Sequence, residues 1–257
     1  MGIILHQFTL QNIAIEVVNS QKEMGIRAAE IIANKIIQKP NIILGLATGS
    51  TPVPVYAELI AYYAQKMISF RKVKTFNLDE YYPIDPLNIH SYQYTMERDL
   101  FSHIDIPGEN IHFPDCLTSS PIEASLNYEK LIEKSGGIDL MLSGIGQNTH
   151  IAFNEPPTQR DSRTRLIELC DETRRINARF FPSMEEVPKY AITMGLGTIL
   201  DSQEIILCAF GAEKSEAVYR ALFEKPNPDV PGSYLQNHQN CRFILDQASA
   251  SRILGSD

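Results

Sequence analysis

Along most of this chain, short apolar runs that break into loops bearing Gly, Thr and Ser alternate with segments whose apolar residues recur at helical spacing. The runs "NIILGL", "VKTFNL", "IDLMLSGIG", "EIILCAFG" and "CRFILD" read as strands. Between the runs, Ser20 and Glu23 form an S-x-x-E capping box ahead of Met24, Ala28, Ile31, Ile32 and Ile36, and Pro40 closes that helix. Further helices are expected in "VPVYAELIAYYAQKM", in "YQYTMERDLFSHI", from Ser120-Pro121 to Gly136-Gly137, and in "KSEAVYRALFEK". This alternation predicts an α/β fold, a three-layer αβα sandwich with a largely parallel, Rossmann-like sheet. At 257 residues and 44% hydrophobic content, with no linker-like break, residues 1–257 are expected to form a single domain.

The charge balance narrows the partners. Lys and Arg number 23 against 31 Asp and Glu, a formal charge of −8, and no basic run is present to track a nucleic-acid backbone. No stretch approaches the ~18 continuous apolar residues of a membrane span. The N-terminus lacks a cationic start and a small-residue cleavage site, and His6 stands where a myristoylation signal needs Ser or Thr. Cys116, Cys170, Cys208 and Cys241 are scattered with no C-x-x-C pair, as reduced thiols would be. A cytoplasmic protein acting on a small molecule, without nucleic acid or membrane, is expected; a homo-oligomer is left open.

In open α/β sheets ligands bind beyond the carboxyl ends of the strands, where three polar clusters fall. In the first, Gly49, Ser50 and Thr51 lead into a helix, with Thr51 expected as its N-cap and Pro52 as its first residue. Backbone N–H groups, hydroxyls and the helix dipole there suit a phosphate ester, although taken alone the stretch reads first as an ordinary capped helix start. It lacks the G-K-[ST] ending of a Walker A loop. In the second, Asp79-Glu80 closes "VKTFNL". A carboxylate there serves as a general base if desolvated, whereas a lone pair of this kind is more often solvated.

The third cluster, "GIGQNTHIAFNEP", begins like a dinucleotide loop, but Thr149 occupies the last glycine position of G-x-G-x-x-G, and Glu168, the acid at the right distance, sits in no convincing strand. A dinucleotide cofactor is therefore not expected. If the loop runs extended, Asn148 and His150 face one side, where His150 moves protons near neutral pH; by itself such a His is more often structural. No second His or Cys stands at metal-ligand spacing, so no metal is expected.

Taken together, "GLATGSTP", "TFNLDEYY", "GIGQNTHIAFNEP", "SRTR", "NARFFPSMEEVPKYAITMG" and "LCAFGAEKSEAV" resemble the glucosamine-6-phosphate deaminase family, from about Ile42 to Asp246. The resemblance implies isomerising deamination of an amino-sugar phosphate to fructose 6-phosphate and ammonia, without metal or organic cofactor. It also implies roles by position. Asp79 is the base that carries the C2 proton to C1, His150 assists ring opening by protonating the ring oxygen, and Glu155 orients His150 and tunes its pKa. Gly49, Ser50 and Thr51 hold the phosphate, with Arg179 and Lys214 as its charged partners.

Two residues depart from the family pattern. Asn148 stands where many members carry Asp; an amide orients His150 but lends no charge to its cation. Thr149 stands where the pattern has Gly, and a β-branched residue disfavours positive φ, so either the backbone is ordinary there or His150 is displaced. Ile167 replaces a basic residue of the family's regulatory site, although Arg165 is retained, and the tail is short; activation by an N-acetyl amino-sugar phosphate is not expected. Three alternatives remain: the galactosamine 6-phosphate epimer as substrate, 6-phosphogluconolactonase, and a catalytically silent sugar-phosphate sensor. The lactonase ranks lower because "AFNEP" replaces the "SLFP" it typically shows.

Overall fold

The computed structural model describes residues 3–255. Its main sheet has eight strands among the described residues, in the order β1-β2-β11-β10-β7-β3-β4-β6. The parallel centre is β3 (Ile43–Leu46), β4 (Lys74–Asn77), β7 (Leu140–Ser143), β10 (Glu204–Ala209) and β11 (Cys241–Asp246), all five lying in runs read from sequence as strands. β6 (Ile111–His112) pairs parallel with β4 at one edge. At the other edge lies an antiparallel hairpin, β1 (Ile4–Leu10) and β2 (Ile13–Val18), which the sequence reading did not anticipate. Gln11 and Asn12 form its turn with φ of 50° and 65°, the left-handed pair that a two-residue hairpin loop requires.

Helices cover both faces of this sheet. α1 (Gln21–Gln38) begins at its expected cap: Ser20 Oγ accepts the Glu23 N–H, while the Glu23 carboxylate accepts from Asn19 N. Its buried Met24, Ala28, Ile32 and Ile36 share one core with α2 (Val53–Ala64) and with Met96 of α3 (Tyr92–Asp99). The other core contains Tyr128 and Ile132 of α4 (Pro121–Ser135), Leu196 and Ile199 of α6 (Leu196–Leu200), and Ala217 to Leu222 of α7 (Ser215–Phe223). α4 runs from the Ser120 cap to Gly136 at φ 101°, the left-handed exit that glycine takes without cost. Among the described residues no helix is long and apolar enough to cross a membrane.

A second sheet lies beyond the carboxyl ends of the first. β5 (Asp79–Tyr82), β9 (Tyr190–Thr193) and β8 (Arg165–Glu168) pair antiparallel in that order. Leu78 joins the two sheets, donating to Leu46 O in the main one and accepting from Met194 N beside the small one. Two expectations change here. Asp79-Glu80 does not end a strand in solvent but starts one, because the chain passes from β4 straight into β5. Glu168 does close a strand, but in an antiparallel sheet, so the dinucleotide pattern is not restored.

Candidate active site

From β3 the chain runs to β4 on one side and later reaches β7 on the other, so the loops after β3 and β7 part and leave a crevice where the strand order reverses. The loop after β3 holds Gly49 at φ 116°, with open space where a side chain would stand, followed by exposed Ser50 and part-buried Thr51. Thr51 is not the helix cap. Pro52 occupies that position in helical geometry without a side-chain hydrogen bond, and α2 begins at Val53. The Thr51 hydroxyl faces the β7 loop instead, 3.7 Å from where a Cβ on Gly144 would sit. Loop and helix terminus still offer the expected anion seat of hydroxyls, backbone N–H groups and dipole.

Asp79 is 7% exposed and pairs in register with Thr193 of β9. Burial, then the charge of Glu80, pushes its carboxyl up to about 8, against a smaller opposite pull from the Phe153 N–H. That N–H also donates to Thr193 Oγ1 at 3.2 Å, so the β7 loop reaches across the small sheet to the Asp79 carboxyl.

The β7 loop is a folded turn rather than an extended run: Thr149 N donates to Gly146 O and Gly146 N to His150 O, both at 2.9 Å. Asn148 and His150 nonetheless meet. Asn148 Oδ1 accepts the His150 backbone N–H at 3.3 Å, which marks it as the oxygen, and lies 2.6 Å from His150 Nδ1. Nδ1 therefore carries the proton, and Nε2 keeps its lone pair. The imidazole lies against Gly146, where a Cβ would fall 2.1 to 2.4 Å from ring atoms. Burial lowers His150 to about 4; the Glu155 charge opposes this and that of Lys214 adds to it. The imidazole is neutral at pH 7.

Glu155 does not orient His150 by a hydrogen bond. Its carboxylate accepts from Cys170 N at 3.0 Å and Cys170 Sγ at 2.9 Å, and from the Thr173 hydroxyl, all at the start of α5 (Asp171–Asn177). Only its charge reaches the imidazole. The neighbour that fixes the loop is Asn154, which motif reading passed over. Fully buried, it donates to Ile151 O at 2.9 Å and Met194 O at 2.7 Å and accepts from Arg165 Nη1 at 2.9 Å. A polar residue inside an apolar-flanked "AFNEP" was the available signal, since a buried amide must find such partners.

Lys214 lies half-buried before α7, in the turn after Gly211, where burial and the charge of Arg179 lower its pKa. Arg179 itself is exposed in the turn after α5, its guanidinium 4.6 Å from the Phe180 ring centroid. Asn148 thus touches His150 directly, whereas Lys214, Glu155 and Arg179 are linked to the site through charge.

Thr149 takes φ 72° itself, fully buried, with no protein partner for its hydroxyl. The backbone is therefore not ordinary there, yet His150 still reaches Asn148. A left-handed β-branched residue costs about 1–2 kcal/mol, partly offset by its buried methyl at about 0.8 kcal/mol. Thr149→Gly also removes the unpartnered buried hydroxyl, worth a further ~1 kcal/mol, so it is expected to raise stability by about 1 kcal/mol after ~0.5–1 kcal/mol of glycine entropy is subtracted. Urea denaturation reads this, and a lower midpoint would mean that packing outweighs the strain.

Fold and geometry bring a helix-terminus anion seat, a buried carboxyl and a neutral imidazole to the carboxyl edge of one sheet. Residues 19–244 match the family of glucosamine-6-phosphate isomerases and 6-phosphogluconolactonase, and the chain belongs to it. It is 47% identical over 234 residues to the glucosamine-6-phosphate deaminase of Clostridioides difficile (strain 630), covering 91% of this chain and 94% of that one. It is 46% identical to that of Clostridium botulinum (strain Langeland), covering 93% and 98%. The solved structure of a monomeric glucosamine-6-phosphate deaminase superposes with a TM-score of 0.90 at 38% identity, covering 92% and 98%. The 6-phosphogluconolactonase of Trypanosoma cruzi shares the fold, with a TM-score of 0.74 at 22% identity, covering 96% and 99%.

Proposed function

We propose that this chain is a glucosamine-6-phosphate deaminase, converting its substrate to fructose 6-phosphate and ammonia. The observation that carries the reading is the buried Asp79 carboxyl held at the same sheet edge as a His150 whose Nε2 is free to accept. The phosphate lies on Gly49, Ser50 and Thr51 at the start of α2, countered by Lys214 and Arg179; this remote binding energy positions the sugar.

Because His150 is neutral with its proton on Nδ1, it acts first as an acceptor. Nε2 takes the anomeric hydroxyl proton and passes it to the ring oxygen, opening the pyranose. Asn148 fixes the tautomer without charge, and Glu155 supplies the nearby negative charge for the transient imidazolium. Asp79 then removes the C2 proton, leaving the C–H electron pair in a C1–C2 enolamine. Returned to C1, the same proton leaves an imine at C2, which water hydrolyses to the ketone and ammonia.

We place this activity in a single domain in the cytoplasm, in keeping with four free cysteines. The test is ammonia release by the purified protein from glucosamine 6-phosphate beside galactosamine 6-phosphate. Turnover of the gluco epimer supports the reading; turnover of only the galacto epimer shifts the substrate; silence on both with sugar phosphate bound leaves a sensor.

A further inference from the structure

Glu80 follows Asp79 on β5, so the two side chains leave opposite faces of the strand. Glu80 is 3% exposed, and its carboxylate accepts three backbone N–H groups: Tyr81 at 2.9 Å, Tyr92 at 2.9 Å and Gln93 at 2.8 Å. Tyr92 and Gln93 are the first two residues of α3, whose Ser91 cap serves Tyr94 N instead. Burial pushes the Glu80 carboxyl up to about 7, and the N–H groups of Tyr92, Gln93 and Tyr81 pull it back toward the ionised form, so it still ionises below Asp79. On its far side Glu80 borders a cavity of about 280 Å³ shared with Gln93, His112, Asp115 and Cys116.

We propose that the Glu80 carboxylate, anchored on the start of α3 behind the strand, is a positioning residue that acts through Asp79, its negative charge, when ionised, making Asp79 a stronger base for the C2–H step. The proposal rests on the deaminase reading for its catalytic meaning; the charge coupling itself does not. Chemically the arrangement is economical. A carbon acid needs a base of high proton affinity, and burial alone would raise that affinity at the risk of an unanchored carboxyl. A second carboxylate one residue away raises it further while its own oxygens are tied to α3.

The remaining titratable neighbours do not take over this role. Tyr81 from β5, Tyr92 from α3 and Tyr128 from α4 all feel the charge of Asp79, and burial pushes each of them up, so they stay neutral. Cys116, before α4, feels Glu80, Asp115 and Asp79, and burial pushes its thiol up as well. His112, at the cavity wall, is lowered by burial and by Lys74. After burial, the charge of Glu80 does most to raise Asp79.

The test compares Glu80→Gln with wild type in two readouts. In the pH profile of kcat/KM, the acid limb is expected to move down by about one pH unit while the plateau falls roughly threefold, as a weaker base transfers the proton more slowly. In the substrate-free protein, the carboxyl carbon of 13C-labelled Asp79 is expected to titrate about one pH unit lower. Ser91→Ala, which removes an α3 cap without touching the charge, is expected to lower the melting temperature and move neither readout. If Glu80→Gln does not fold, Asp79→Asn serves in reverse: coupling is reciprocal, so the Glu80 carboxyl must then titrate lower by the same amount. An Asp79 titration unmoved in Glu80→Gln, or a Glu80 titration unmoved in Asp79→Asn, overturns the proposal and leaves Glu80 as a helix cap. A protein silent on every amino-sugar phosphate, yet showing the titration shift, overturns the deaminase reading alone.

Discussion

Asp79→Asn is expected to lower kcat for ammonia release by about 10³-fold or more while leaving KM within a few-fold, because the amide keeps the shape of the carboxyl but accepts no proton from C2. The same substitution is expected to stabilise the protein at alkaline pH, and the sign follows from linkage. Burial pushes the folded carboxyl up to about 8, above the ordinary aspartate value of 3.8, so between those values the folded state holds a proton that the unfolded state releases. Stability from that proton is whole below the lower value and is lost as pH rises through the upper one. Even half of that displacement is worth about 3 kcal/mol, which Asn does not forfeit. Thermal melts should therefore show the variant gaining on wild type from pH 5 to pH 9. Turnover within tenfold of wild type would remove Asp79 from the chemistry, and parallel melts at all pH values would mean that its carboxyl is not held protonated.

Lys214→Met carries the second large effect. Lys214 is half-buried at the start of α7, and its charge is felt at His150. A charge-assisted contact to a phosphate contributes about 1.5–3 kcal/mol, so kcat/KM should fall by about 10- to 100-fold, mostly through KM. Inorganic phosphate, expected to compete with substrate in wild type, should inhibit the variant far more weakly. Steady-state kinetics with phosphate as inhibitor reads both. An unchanged KM and an unchanged phosphate inhibition constant would place the phosphate elsewhere.

What could be read from the sequence is what local chemistry decides. The caps of α1 and α4 are stated within a few residues, at Ser20 with Glu23 and at Ser120 with Gly136, and both stand as expected. The central strands were legible because buried parallel strands are apolar on both faces. β5 and β8 were not: "DEYY" and "RLIE" carry charge and exist as strands only by pairing with β9, over 100 residues from β5 and over 20 from β8 in the register partners Asp79–Thr193 and Arg165–Thr193. The burial of Asp79 is a consequence of that pairing, so its proton affinity was equally out of reach.

The site shows the same division. That Asn148 and His150 face each other was legible from their spacing, although a turn rather than an extended strand brings them together. The partners of Glu155 depend on where α5 packs, which no local pattern states. Positive φ at Thr149 runs against its side-chain preference, and the loop's hydrogen bonds, together with Gly232 N on Thr149 O at 2.9 Å, impose it. Asn148 in place of an acid leaves an imidazole that stays neutral, which suits a shuttle that accepts before it donates.

The central claim is that Asp79 carries hydrogen from C2 to C1 of an amino-sugar phosphate. It is tested most directly by turning over glucosamine 6-phosphate deuterated at C2 in ordinary water and following the label by NMR. The account predicts fructose 6-phosphate with part of the deuterium at C1, together with ammonia, and neither with Asp79→Asn. Product formed with Asp79→Asn at the wild-type rate, or sugar phosphate bound and returned with its C2 deuterium untouched, would contradict it.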